Sequence, residues 1–159
     1  MTLIDGRSGS GKTELAALLA RRLGAQLVRL DDIYPGWGGL DAGSAAVPRI
    51  LAEGRWQRWD WALGAPAEWH EVLPGDVIIE GVGAISSASR PLADHALWVE
   101  LDDTTRKQRA LARDEYYAEH WDEWAAQEER FLARENPRAL ADVMVDGRDV
   151  EAFSLEWEP

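Results

Sequence analysis

The segment Gly6-Arg7-Ser8-Gly9-Ser10-Gly11-Lys12-Thr13 limits this chain more than any other part of it. It fits the pattern G-x-x-x-x-G-K-[ST] at Gly6, Gly11, Lys12 and Thr13. Its context fits as well. Thr2–Asp5 reads as a short apolar strand. Leu15, Ala16, Leu18, Leu19 and Leu23 then recur at helical spacing until Gly24 stops them. Glycines let a backbone fold tightly round an anion and turn its N–H groups inward. The helix that follows starts beneath that anion, where its dipole and free N–H groups favour negative charge. Lys12 can reach the outer phosphates of a nucleoside triphosphate, and the Thr13 hydroxyl can ligate Mg2+. The competing reading, a chance glycine-rich turn, has this strand–loop–helix context against it.

The rest of the chain alternates strand and helix signals. Strands are expected at 25–30, 76–81, 95–101 and 141–145, and helices at 47–53, 66–72, 104–114 and 121–135. Residues 34–45 are glycine-rich and read as a loop, while 55–63, with Trp56, Trp59 and Trp61, is ambiguous. The run Val77-Ile78-Ile79 is apolar without alternation, as in a strand buried on both faces of a parallel sheet. Together these predict one α/β domain over 1–159, with a doubly wound, mainly parallel sheet flanked by helices.

Composition removes some functions. The 159 residues contain no cysteine, which excludes disulfides and thiolate metal sites. The net charge of −12 is the wrong sign for a nucleic-acid or anionic-membrane partner. No apolar run approaches the ~18 residues of a membrane span. Residues 1–5 enter the glycine-rich loop directly with no export signal, so a cytoplasmic protein is expected. An acidic protein that binds an anion must gather its cations locally, so the placement of the seventeen Lys and Arg residues is informative. The nine tryptophans are expected to fill core, with some available to stack on a flat ligand.

Three further constellations carry chemistry. Asp31-Asp32 ends the second strand, where an open parallel sheet faces its ligand crevice. A carboxylate there can take the proton of an attacking hydroxyl or hold Mg2+ through water; a turn or cap aspartate is the alternative. Glu80 follows the buried strand and can handle the metal or its waters, or else simply leave the sheet for solvent. Arg106, Arg109 and Arg113 share one helix face at i, i+3 and i+7. Either a triphosphate faces that stripe or it is a solvated basic surface.

With these in hand, the chain resembles the uridine kinase and nucleoside-kinase-like branch of P-loop kinases. The resemblance rests on the loop 6–13, on Asp31-Asp32-Ile33-Tyr34, on Glu80-Gly81 after an apolar strand, and on Thr105-Arg106 with Arg109, Arg113 and Asp114. The ending 141–147 also resembles the family's final strand. It lapses between 35 and 75, where such kinases usually build the acceptor pocket, and Ile33 stands where Phe is usual. The resemblance implies a P-loop NTPase fold with a helical lid at about 106–124, and phosphoryl transfer from ATP with Mg2+ to a hydroxyl of a small molecule, a nucleoside being one candidate. It implies Asp31 as base, Lys12 and the loop residues Gly6, Ser8, Gly9, Ser10, Gly11 and Thr13 on the donor, Arg109 and Arg113 on phosphates, and Thr13 with Glu80 on the metal. Tyr34, Trp37, Arg58 and Asp60 are the candidates for the acceptor pocket. Two other readings stay open. A nucleoside monophosphate kinase would use Arg49, Arg55 and Arg58, and a nucleotide-gated module would hydrolyse ATP slowly as a switch.

Overall fold

A computed structural model describes residues 1–113 and 115–159. Among the described residues, seven strands and six α-helices follow in the order β1 (Thr2–Asp5), α1 (Lys12–Leu23), β2 (Gln26–Arg29), α2 (Leu40–Glu53), β3 (Arg55–Asp60), β4 (Ala65–Glu71), β5 (Val77–Glu80), β6 (His95–Glu100), α3 (Asp103–Arg113), α4 (Glu115–Glu135), α5 (Pro137–Leu140), β7 (Val143–Asp146) and α6 (Val150–Glu156). Five strands form one sheet in the order β2-β5-β1-β6-β7, and every pairing in it is parallel.

The central strands β1, β5 and β6 are buried on both faces because their middle positions are apolar on each side. In β5, Val77 and Ile79 join a core that also holds Leu3, Val47, Ile50 and Phe131, while Ile78 joins the opposite core with Ile4, Leu15, Leu19 and Val145. The period of two along a strand sends neighbours to opposite layers. Helices α2 and α4 supply the first layer, and α1 and α6 supply the second. All strand carboxyl ends open on one edge, which is where a ligand crevice forms in this kind of sheet.

Three expectations needed correction. The glycine-rich stretch 34–45 is loop only as far as Gly39, because α2 begins at Leu40. Gly43 lies within the helix for packing: a Cβ there would stand 2.4 Å from the ring of Tyr34. The ambiguous 55–63 and the expected helix at 66–72 are instead an antiparallel hairpin, β3–β4, pairing Arg55 with Glu71 and Trp56 with His70. Trp56 stacks on His70 with centroids 4.4 Å apart. A two-stranded ribbon outside the main sheet tolerates Pro66 in a strand. Finally, α4 starts at Glu115, so the helix expected at 121–135 begins six residues earlier. Asp114 lies outside the described residues.

Candidate active site

The phosphate loop follows β1 at the centre of the sheet, where connections leave in both directions. Gly9 and Gly11 have φ of 79° and 102°, a region that side-chain-bearing residues seldom adopt. The loop is also crowded from outside. A Cβ on Gly9 would meet the carbonyl oxygen of Arg106 at 2.1 Å. Lys12 opens α1 and is nearly buried. The Ser10 hydroxyl is buried with no hydrogen-bond partner among the described residues. An orphaned polar atom in a glycine cradle, with a lysine at the start of the helix, fits a bound polyphosphate.

Two buried carboxylates shape this loop, and sequence reasoning found neither. Asp5 accepts from the N–H groups of Gly6 at 2.7 Å and Ile85 at 2.9 Å, and from Gly83. It thereby joins the end of β1 to the turn after β5. Burial pushes Asp5 up to about 7, opposed by the N–H of Ile85, that of Gly6, the charge of Lys12 and the N–H of Gly83. Glu128 of α4 accepts from the Ser8 N–H at 2.8 Å and from Arg7 at 3.1 Å. Every polar group of Ser8 is in fact held by α3 or α4. Its carbonyl accepts from Arg106 at 2.9 Å, and its hydroxyl accepts from the Tyr117 hydroxyl at 2.7 Å. The signal for Glu128 was its position four residues past Trp124 and three before Phe131, a charge set into a buried stripe.

Asp31 and Glu80 stand on the carboxyl edge of neighbouring strands β2 and β5. Arg29 bridges them, 3.3 Å from Glu80 and 3.9 Å from Asp31. Glu80 is buried, and burial raises its pKa, while Lys12, Arg29 and a hydrogen bond from Thr13 lower it. The expected pair Thr13 and Glu80 is therefore brought together. Among the described residues no cluster of three or more His, Cys, Asp or Glu could hold a metal unaided. A cation here would take Thr13 and Glu80 together with phosphate oxygens, which is the usual economy of Mg2+.

A cavity of about 520 Å3 opens beside Asp31 and the phosphate loop. Ser8, Lys12, Asp31 and Arg113 form its polar side. The rest of its lining is largely aromatic, from Tyr34, Trp37, Trp61, Tyr116, Tyr117 and Trp124, with Ala62 and Val82. Trp37 is the hub. It stacks on His120 at 4.4 Å and meets the edges of Trp61 at 5.2 Å and Tyr117 at 5.3 Å. The Trp61 indole donates to the carbonyl of Asp31 at 2.8 Å, which fixes one wall to the residue expected to act as base.

The expected site residues divide accordingly. Lys12, Asp31, Ser8, Arg113, Tyr34 and Trp37 share the cavity. Tyr34 is fully buried and its hydroxyl donates to the Val82 carbonyl at 2.7 Å, so it offers ring and not hydroxyl. Arg58 and Asp60 do not line this cavity. Arg58 forms a forked pair with Glu68 at 2.6 and 3.1 Å, and the Asp60 carboxylate caps the turn at Ala62 and Leu63. Both therefore belong to the hairpin. The arginine stripe also divides. Arg106 is buried and bound to Ser8 and Asp103, Arg109 donates to the Gly147 carbonyl at 2.9 Å beside Gly11, and only Arg113 reaches the cavity. Trp61, Tyr117 and Trp124 were missed as wall residues, since they come from a turn and a helix that share no spacing rule.

No family profile matches the sequence, and no curated protein matches it. Solved structures do. A possible uridine kinase from Bacillus stearothermophilus superposes with a TM-score of 0.60 at 23% identity, covering 91% of this chain and 87% of that one. A gluconokinase from Sinorhizobium meliloti 1021 gives 0.61 at 15%, covering 97% and 88%. Shikimate kinase from Acinetobacter baumannii, in complex with shikimate, gives 0.58 at 17%, covering 98% and 90%. The sheet order, the loop after its central strand and these likenesses define the class: the chain has the P-loop kinase fold. Among the described residues no helix is long and apolar enough to cross a membrane.

Proposed function

We propose that this chain is an ATP-dependent kinase that transfers the γ-phosphoryl group to a hydroxyl of a small molecule, with nucleosides among the candidate acceptors. One observation carries the reading: Lys12 of the phosphate loop and Asp31 line the same cavity. A donor and a base must face one point for in-line transfer.

The backbone N–H groups of 6–13 and the Lys12 ammonium would hold the triphosphate, and Thr13 and Glu80 would hold Mg2+. The bound metal nucleotide supplies the transferable group and neutralises part of its charge. Asp31 accepts a hydrogen bond from the acceptor hydroxyl, orients it, and takes its proton as the new oxygen–phosphorus bond forms and the bond to ADP breaks. Arg113 meets charge on the moving group, and Arg109 holds the loop's far side. The segment at about 106–124 acts as the lid, since α3 and α4 carry Arg113 and part of the aromatic lining and also grip Ser8. Closure would exclude the water that competes with the acceptor. The monophosphate-kinase alternative has less support, because Arg49, Arg55 and Arg58 line a separate cavity of about 280 Å3.

The test is ATP consumption by the purified chain with Mg2+ across nucleosides, nucleoside monophosphates, sugars and vitamin precursors. Acceptor-dependent ADP release with a phosphorylated alcohol as product is the expected result. Slow ATP hydrolysis that no acceptor stimulates would favour the switch module.

A further inference from the structure

Helix α4 turns one stripe of side chains toward the phosphate loop. Tyr117, Trp124 and Glu128 stand at i, i+7 and i+11, close to a single line along a helix. The two outer members are committed to Ser8. The Tyr117 hydroxyl donates to the Ser8 hydroxyl, and Glu128 accepts from the Ser8 N–H and from Arg7. The middle member has no such tie. Trp124 is only 4% exposed, and its indole N–H is buried with no hydrogen-bond partner among the described residues. Tyr34 packs edge-on against its ring with centroids 4.8 Å apart, and Trp124 lines the same cavity as Lys12 and Asp31.

An indole N–H can only donate. Held out of water and unpaired it costs free energy, which a lone pair brought to it returns. The N–H is shielded from bulk water, so a molecule filling the cavity, and not solvent, is what can bring that lone pair. Three neighbouring groups of the lining are already engaged: the Tyr34 hydroxyl with Val82, the Tyr117 hydroxyl with Ser8, and the Trp61 indole with Asp31. Of these four, Trp124 is the one whose hydrogen is still uncommitted. The charged donors of the cavity, Lys12 and Arg113, are those the kinase reading assigns to the triphosphate. A methylene set against the Trp124 N–H would leave it unpaired. A pocket holding such a donor rejects a molecule that lacks the matching atom more sharply than apolar surface does.

We propose that Trp124 is a specificity-determining residue, whose indole N–H donates to an oxygen or nitrogen lone pair of the acceptor on an atom other than the hydroxyl that Asp31 activates. The acceptor is then bifunctional: one hydroxyl to be phosphorylated and a second atom that accepts a hydrogen bond, whatever ring or chain joins them. This rests on the kinase reading above, and the experiment separates the two.

The full chain is labelled with 15N at its nine tryptophans, and the indole N–H resonances are followed by NMR. That of Trp124 is assigned by its loss in Trp124→Phe or, should that variant not fold, by its contact with the Tyr34 ring. Mg2+ with a non-hydrolysable ATP analogue is added first. Uridine, ribitol, gluconate or shikimate follows, each carrying a second oxygen, with cyclohexylmethanol as the alcohol that has none. The expected result is a saturable downfield shift of the Trp124 resonance with at least one of the four, absent with cyclohexylmethanol and with nucleotide alone. For the compound phosphorylated fastest, Trp124→Phe should raise KM about tenfold and change kcat and ATP affinity by less than about threefold. A downfield shift with nucleotide alone gives the N–H to the phosphoryl donor and overturns the proposal. So does an equal shift with cyclohexylmethanol, or no shift with any of the four. Equal losses of ATP affinity and turnover in Trp124→Phe would make Trp124 a packing residue and would also overturn it. A saturable shift in a chain that phosphorylates none of these compounds counts against the kinase reading and supports Trp124 as the donor to a bound molecule.

Discussion

The two ends of the cavity are built in opposite ways. On the proposed kinase reading, the donor end is one continuous stretch, 6–13, set by a strand before it and a helix after it. The acceptor end takes Trp37 from a loop, Trp61 from the hairpin turn, and Tyr117 and Trp124 from α4. Phosphate binding needs backbone N–H groups in a fixed curve, and only a contiguous segment provides that. A flat wall needs only large side chains that arrive at one place, and any element can deliver them. So the proposed donor end rests on one contiguous segment, and the proposed acceptor end on side chains from several elements. Substitutions at the first should remove activity, and those at the second should redirect it.

Lys12→Ala tests the donor end and should have the largest effect. No other ammonium lines the cavity among the described residues. Turnover should fall by about 10³-fold or more, with weaker triphosphate binding and an unchanged fold. Circular dichroism and calorimetry separate those outcomes, and near-normal turnover would remove the donor site.

Glu128→Ala should come next. It leaves the Ser8 N–H and Arg7 without their buried acceptor. A loss of about 2–3 kcal/mol of stability and about tenfold in ATP affinity is expected. An unchanged ATP affinity would show that α4 does not shape the loop.

The pH dependence of stability should be smaller and traceable to Asp5. Its folded pKa of about 7 stands above the ordinary 3.8. Between those values the folded chain binds the extra proton, so its contribution to stability is full below the ordinary 3.8 and is lost as pH rises through about 7. The melting temperature of the ligand-free chain should fall over that window, and Asp5→Asn should flatten the fall.

Arg58→Ala should have the smallest effect. Its pair with Glu68 is solvent-facing, and such pairs contribute about 0–1 kcal/mol. Acceptor KM should change by less than about threefold. A larger rise would return Arg58 to the acceptor site.

The same contrast explains what could be read from sequence. The sheet was legible because Val77-Ile78-Ile79 is apolar without alternation, as a doubly covered strand is, and the short apolar Thr2–Asp5 leads straight into the glycine loop. The loop 6–13 was legible because its chemistry depends on spacing. The hairpin was not, since its strands mix Trp, Arg and Glu on two half-exposed faces and neither period dominates. Gly43 misled because its lack of a side chain serves the Tyr34 ring and not a turn. Asp5 was invisible because its partners are backbone N–H groups, which every sequence has, and Glu128 showed only as a charge set into a buried stripe. Arg58 and Asp60 were plausible as polar residues in the right stretch, yet the hairpin turns them toward each other and Glu68.

The central claim is that Asp31 faces the point of transfer. It is tested most directly by following ATP binding and product formation together in Asp31→Asn and Asp32→Asn. Asp31 lines the cavity, whereas Asp32 is not among the residues that do. The account predicts that Asp31→Asn binds ATP as the natural chain does and forms phosphorylated acceptor about 10²-fold more slowly or worse, while Asp32→Asn remains active. Full turnover in Asp31→Asn, with loss of it in Asp32→Asn, would contradict the account.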